Sequence, residues 1–281
     1  METVEGRAGP VSTQPFKDPA GIAGGFIARQ AYAHALSLLF GFAKDPAAEE
    51  VPEIYIASAG FIEFQDATCA VTCYHVLKNF WAKRAAEPRF KFQIGSFVCE
   101  PRDRLRDWDE ALDLAIIDVG DIPIDRLSNR DDNPAQALRP SRWPSDPMKP
   151  NDFVVLCGFP IGTREVYVDE RRIGSVAFPV IEHVMDVDES SFTISFSRDE
   201  WVSIPSDTTV PDAIRAADLN GLSGSPVFSG MRNIAGPIGV MEFVGTVLSE
   251  IPFGVSGVRV RSSRCLTADG HIVREGATSN Y

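Results

Sequence analysis

A chain of 281 residues, 44% of them apolar and including 22 glycines and 20 prolines, is long enough to bury a substantial core and is turn-rich rather than disordered. Its net charge of −12 repels a phosphate backbone and argues against nucleic acid as a partner; only short basic runs such as Arg171-Arg172 interrupt the acidity. Five cysteines without a C-x-x-C pair exclude a disulfide framework and a zinc-finger pattern, and they fit a reducing compartment.

Residues 1–22 read as a leader. The stretch Met1 to Asp18 lacks the basic region and apolar core of a signal peptide. The most apolar stretch, Ala23 to Phe42, carries Arg29, Gln30 and His34 and falls short of a membrane span, so a cytoplasmic protein with no membrane partner is expected. Within it, Ile27, Ala31, Ala35, Leu38 and Phe42 recur at helical spacing, which predicts a helix over 26–42 inside an N-terminal segment of residues 1–50.

From Glu53 the pattern changes to strands. Ile54 to Ile56, Phe61 to Phe64, Thr68 to Thr72, Phe90 to Phe92, Ser96 to Cys99 and Leu114 to Ile117 define a first β-rich unit over 51–130, with a short helix at Tyr74 to Phe80. A polar stretch rich in Pro, Asp, Asn and Arg over 131–150 reads as a linker. Strands at Phe153 to Cys157, Arg172 to Phe178, Ile181 to Val187, Phe192 to Phe196, Ser225 to Phe228, Ile238 to Val247 and Gly254 to Val260 define a second unit over 151–262, followed by a tail, 263–281.

The chemistry centres on Gly221-Leu222-Ser223-Gly224-Ser225-Pro226-Val227. Glycines around a serine permit a tight turn that leaves its hydroxyl open, and the amides of Gly221 and Ser223 can converge on an oxyanion. Such a serine needs a base and an orienting acid. Of the four histidines, His34 falls in the predicted helix, His183 in a strand and His271 in the tail. His75 follows an apolar strand and opens a short helix, where side chains can converge on a cleft. Asp113 heads the apolar strand Leu114 to Ile117 and is the first candidate acid; Asp118, Asp107 and Asp109 compete with it.

Val71-Thr72-Cys73-Tyr74-His75-Val76-Leu77, Asp113-Leu114-Ala115-Ile116-Ile117 and the Ser223 segment together resemble the histidine, aspartate and serine segments of trypsin-like (chymotrypsin-fold) serine peptidases, in that family's chain order. Val76 after His75, the Gly158-Phe159-Pro160-Ile161-Gly162 turn, and Leu222 in place of the acid of zymogen-activated members are similar to the bacterial cytosolic and Htr/Deg-like branch.

The resemblance implies an all-β fold of two packed six-stranded antiparallel barrels with the N-terminal helix outside them. It implies a serine endopeptidase without cofactor or metal, with His75, Asp113 and Ser223 catalytic and the amides of Gly221 and Ser223 as oxyanion hole. A peptide or protein substrate would pair with Glu242-Phe243-Val244, above a pocket whose base lies near Ala217. Cys73 and Cys157 read as small buried apolar residues. The alternative is a non-catalytic peptide-binding or scaffold protein on the same frame.

Overall fold

The computed structural model describes residues 30–42, 53–128, 134–160, 164–167, 172–175, 178–195, 221–229, 241–250 and 257–274. Strands dominate them. A seven-stranded antiparallel sheet is built from β1 (Ala35–Gly41), β2 (Ile54–Glu63), β3 (Thr68–Thr72), β4 (Lys91–Ile94), β5 (Phe97–Cys99), β6 (Leu105–Asp109) and β7 (Leu114–Asp118), in the order β5-β4-β1-β2-β3-β7-β6. The second half is a closed barrel of β8 (Phe153–Gly158), β11 (Phe178–Val187), β12 (Ser191–Ser195), β13 (Pro226–Ser229), β14 (Glu242–Glu250) and β15 (Gly257–Ser262), in the order β11-β12-β15-β14-β13-β8. A separate two-stranded ribbon pairs β9 (Arg164–Tyr167) with β10 (Arg172–Ser175).

Two six-stranded barrels were the expectation. The barrel of the second half meets it, whereas the first half is a seven-stranded sheet with open edges at β5 and β6. The extra strand comes from the segment expected to be an external helix. Gln30 to Ala33 keep a helical turn, but Ala35–Gly41 is a strand between β2 and β4. Both of its faces are covered: Leu36, Leu38 and Phe40 enter the core inside the sheet, while Ala35 and Leu39 enter the core between the halves. A strand buried on both faces is apolar throughout, so its residues also satisfy a helical period, and periodicity cannot separate the two.

Three cores follow from this arrangement. One fills the first sheet around Phe80, Phe92 and Ile117. One fills the barrel around Leu156, Leu222 and Val260. The third joins the halves, where Ile62, Val71 and Ile116 meet Phe159, Phe228 and Phe243. Fully burying one such side chain stabilises by about 1.5–3 kcal/mol, so the shared core fixes one half against the other. Bulges at Val184/Asp186, Val227/Phe228 and Val247/Ser249 bend the barrel strands into closure.

The expected linker runs along the first sheet: the Gln136 amide donates to the Ala33 carbonyl, and Leu138 bridges Ile62. Residues 263–274 return from the barrel to the edge strand β6, where the Ile272 amide and Arg274 bond Asp107. Among the described residues, no helix is long and apolar enough to cross a membrane.

Candidate active site

The strand β3 ends at Thr72, and the helix Tyr74–Ala86 begins two residues later, with Cys73 at the N-cap position, and is anchored by the buried Val76, Leu77 and Phe80. His75 sits in its first turn. The Asp113 carboxylate takes two bonds from this one residue: the His75 amide donates to Oδ1 at 2.9 Å, and ring Nδ1 lies 2.7 Å from Oδ2. A carboxylate held on both backbone and ring fixes the imidazole plane and its tautomer, leaving Nε2 to face outward. The side chains of His75 and Asp113 are 39% and 28% exposed, so the pair lies at the surface rather than in the interior.

Asp113 owes its position to the β6–β7 turn. It adopts φ 53°, in the left-handed region that aspartate enters more readily than most residues. The preceding residue is tied at both ends: the Leu112 amide donates to Asp109 Oδ1 at 2.9 Å, and its carbonyl accepts from Arg261 Nε at 2.8 Å. Arg261 is a buried guanidinium on β15, and it also donates to Ser190 Oγ at 2.9 Å. The barrel therefore reaches across to hold the acid loop of the sheet.

The competing acids are engaged elsewhere. Asp107 bonds the Ile272 amide and Arg274, Asp109 the Leu112 amide, and Asp118 the Gly120 amide. Of the other histidines, His34 is buried with Nδ1 2.6 Å from the Gln136 carbonyl, His183 lies edge-on to Phe153, and His271 lies beside Asp107.

Ser223 lies on a loop whose carbonyls are all turned inward. Ser58 Oγ donates to the Gly221 carbonyl at 2.7 Å, the Ser225 amide to Leu222 at 2.8 Å, and the Ser58 amide to Ser223 at 2.9 Å. Leu222 is 2% exposed and anchors the loop in the barrel core. Gly221 and Gly224 take φ 97° and 86°, and a Cβ on Gly224 would lie 2.0 Å from the Ser58 carbonyl oxygen. Glycine is obligatory there. Among the described residues, the amides of Gly221 and Ser223 have no hydrogen-bond acceptor.

One carbonyl brings the serine loop to the histidine. Val247 O accepts from the Gly224 amide at 2.8 Å and from Cys73 Sγ at 3.0 Å, so the residue after Ser223 and the residue two before His75 share an acceptor. The Ser223 hydroxyl donates to the Leu248 carbonyl at 3.3 Å, and among the described residues no hydrogen bond joins it to His75.

The expected substrate-pairing residues lie at the start of β14. Phe243 and Val244 are buried, Phe243 in the core between the halves and Val244 inside the barrel, and Glu242 faces Ser141 and Arg142. Val247 and Leu248 adjoin Ser223 instead. Ala217 lies outside the described residues.

Sequence reasoning missed Ser58 and Arg261. Ser58 was hidden because a lone serine in an apolar strand carries no motif. Arg261 left a faint signal, as one of two arginines alternating with valines in Val258-Arg259-Val260-Arg261. All five cysteines are free thiols; burial pushes Cys73 well above its usual range, and burial and then Asp118 push Cys69 up to about 12. An open groove of about 990 Å³ lies elsewhere, beside β5, and is lined by Glu63, Asp66, Glu100, Asp103, Asp118 and Asp121 among others; His75, Asp113 and Ser223 are not part of it.

No protein-family description matches the chain, and no curated protein matches it in sequence. Among solved structures, it is similar to Rv3671c from M. tuberculosis, in an inactive mutant form, with a TM-score of 0.45 and 13% identity over 90% of each chain. It is also similar to the thermostable serine protease AL20 from an extremophilic microorganism, with a TM-score of 0.42 and 12% identity over 83% of this chain and 92% of the other.

Proposed function

We propose that the protein is a serine endopeptidase of the chymotrypsin-like kind, with Ser223 as nucleophile, His75 as base and Asp113 as orienting acid. The observation that carries this reading is the double bond of the Asp113 carboxylate to the amide and ring of His75. That arrangement leaves Nε2 as the acceptor and holds it beside a loop that presents a serine hydroxyl and two amides without acceptors among the described residues. For catalysis the Ser223 hydroxyl leaves the long bond to Leu248 and turns to Nε2, a bond of the kind that substrate binding often completes.

His75 then takes the Ser223 proton as Oγ attacks the peptide carbonyl, and the negative charge moves to the carbonyl oxygen. The amides of Gly221 and Ser223 stabilise that oxyanion; one such donor is worth about 3–4 kcal/mol. His75 returns the proton to the leaving amine, and water, deprotonated by the same imidazole, hydrolyses the ester. A peptide substrate pairs with β14 beyond Thr246, where β13 no longer covers it, next to Leu248 and Ser249. Leu222, buried and uncharged, offers no carboxylate to a freed N-terminus, which favours an enzyme assembled without N-terminal cleavage.

A fluorophosphonate probe tests the reading. Labelling of the wild type, its loss in Ser223→Ala and its marked slowing in His75→Ala are expected. A folded wild type that stays unlabelled, yet binds peptides, is the outcome for a non-catalytic peptide-binding module. The Ser223–Leu248 bond is the one observation that favours that second reading.

A further inference from the structure

We propose that Cys73, His75 and Asp113 form a binding site for a thiophilic divalent cation of the zinc type, and that filling it switches the candidate catalytic pair off. The site itself stands on geometry; only the switching rests on the proposed peptidase reading. One donor atom of each residue lies within 4.8 Å of the other two. The set offers thiolate sulfur, imidazole nitrogen and carboxylate oxygen, the three donor types zinc takes, and leaves a fourth tetrahedral position for water.

Cys73 closes the buried side, while His75 and Asp113 are part exposed and supply the entry. Zinc bonds of about 2.0–2.3 Å place donors roughly 3.5 Å apart, so the cation needs a χ1 rotation of Cys73 away from Val247 and a slight parting of Nδ1 from Oδ2. Thiolate and carboxylate together cancel the charge of a divalent ion, which is what a site with one wall in the core requires. Coordination by the thiolate releases the Sγ proton.

The consequence for His75 is a proton inventory. In the metal-free pair, Nδ1 carries the proton donated to Asp113, and Nε2 is free. A cation on Nδ1 moves that proton to Nε2, and Nε2 then has no lone pair for the Ser223 proton. The base is lost without any change in fold.

Cadmium, a spectroscopic stand-in with a sulfur-to-metal charge-transfer band, tests the site in the full chain. Wild type and Ser223→Ala are expected to bind one Cd²⁺ with that band. Cys73→Ala should lose the band, and both it and His75→Ala should bind Zn²⁺ at least about tenfold more weakly; His75→Ala guards against misfolding of the cysteine variant. Zn²⁺ added to the wild type before the probe should block the fluorophosphonate reaction, and a chelator should restore it. Absence of the band, its persistence in Cys73→Ala, or unweakened Zn²⁺ binding by His75→Ala overturns the site. A wild type that shows the band but no labelling defeats the peptidase reading and leaves the site standing.

Discussion

The hydroxyl of Ser58 donates to the carbonyl of Gly221 at 2.7 Å, from the middle of the first sheet to the mouth of the serine loop. The same oxygen accepts from the Phe159 amide at 2.9 Å, so one side chain joins β2, the turn after β8 and the loop. Ser58→Ala leaves a buried carbonyl and a buried amide unpaired, each costing about 1–3 kcal/mol. Urea unfolding should show that loss, and the fluorophosphonate rate should fall with it because the Gly221 peptide is released.

Gly224→Ala is expected to be more severe. Its Cβ would lie 2.3 Å from Thr72 Oγ1 as well as against the Ser58 carbonyl, at a φ of 86° that alanine resists. Neither neighbour can retreat without opening β2 or β3. Labelling should vanish, and the melting temperature should drop by several degrees for each ~1 kcal/mol lost.

Arg261 holds the acid loop through Leu112, so Arg261→Met, which keeps much of the side chain's bulk, should loosen Asp113 while sparing the barrel strands. A hydrogen bond from a charged donor is worth about 1.5–3 kcal/mol, which corresponds to about a tenfold or greater fall in labelling rate. Arg261→Lys should recover part of it. The downfield NMR signal of the His75 Nδ1 proton should broaden in the methionine variant; a sharp, unshifted signal would contradict a positioning role.

His34 gives the fold an acid-sensitive joint. Burial lowers its pKa from the ordinary 6.5, against the opposing pull of its bond to the Gln136 carbonyl. The unfolded chain therefore takes up a proton that the folded chain resists. Stability is full above about pH 6.5 and declines as pH falls from there toward the lowered folded value. Equilibrium unfolding of wild type against His34→Gln across that window should show the decline in the wild type and a flatter profile in the variant.

Asp107 fastens the returning segment 263–274 to β6. Burial alone would raise its carboxyl, but the Arg274 guanidinium and the Ile272 and Trp108 amides outweigh it and hold the pKa below 3.8. The stabilisation is present above that ordinary value and is lost as pH falls through the lowered one. Asp107→Asn should cost about 1.5–3 kcal/mol at neutral pH and raise hydrogen exchange at Ile272.

The candidate site was legible where chemistry is local. The apolar run ending at Thr72, followed by a helix start, placed His75; the residue heading the β7 run placed Asp113; and glycines marked the turn of Ser223. That Val247 and Leu248 adjoin Ser223 was not legible, since they meet it across the fold and not in sequence. Ser58 and Arg261 act across the two halves, so their partners have no neighbourhood in sequence. In the fold, short apolar runs between turn residues identified most strands, and β1 escaped because its apolar residues also fit a helical period.

Its central place has a practical corollary for anyone trimming the gene. A fragment begun at residue 51, where the first half looks complete on paper, removes β1, which pairs with both β2 and β4. What remains is a loose hairpin of β4 and β5 beside a four-stranded ribbon, with Phe80 and Phe92 laid open to solvent. Such a truncation should be recovered as aggregate, however intact its histidine, aspartate and serine.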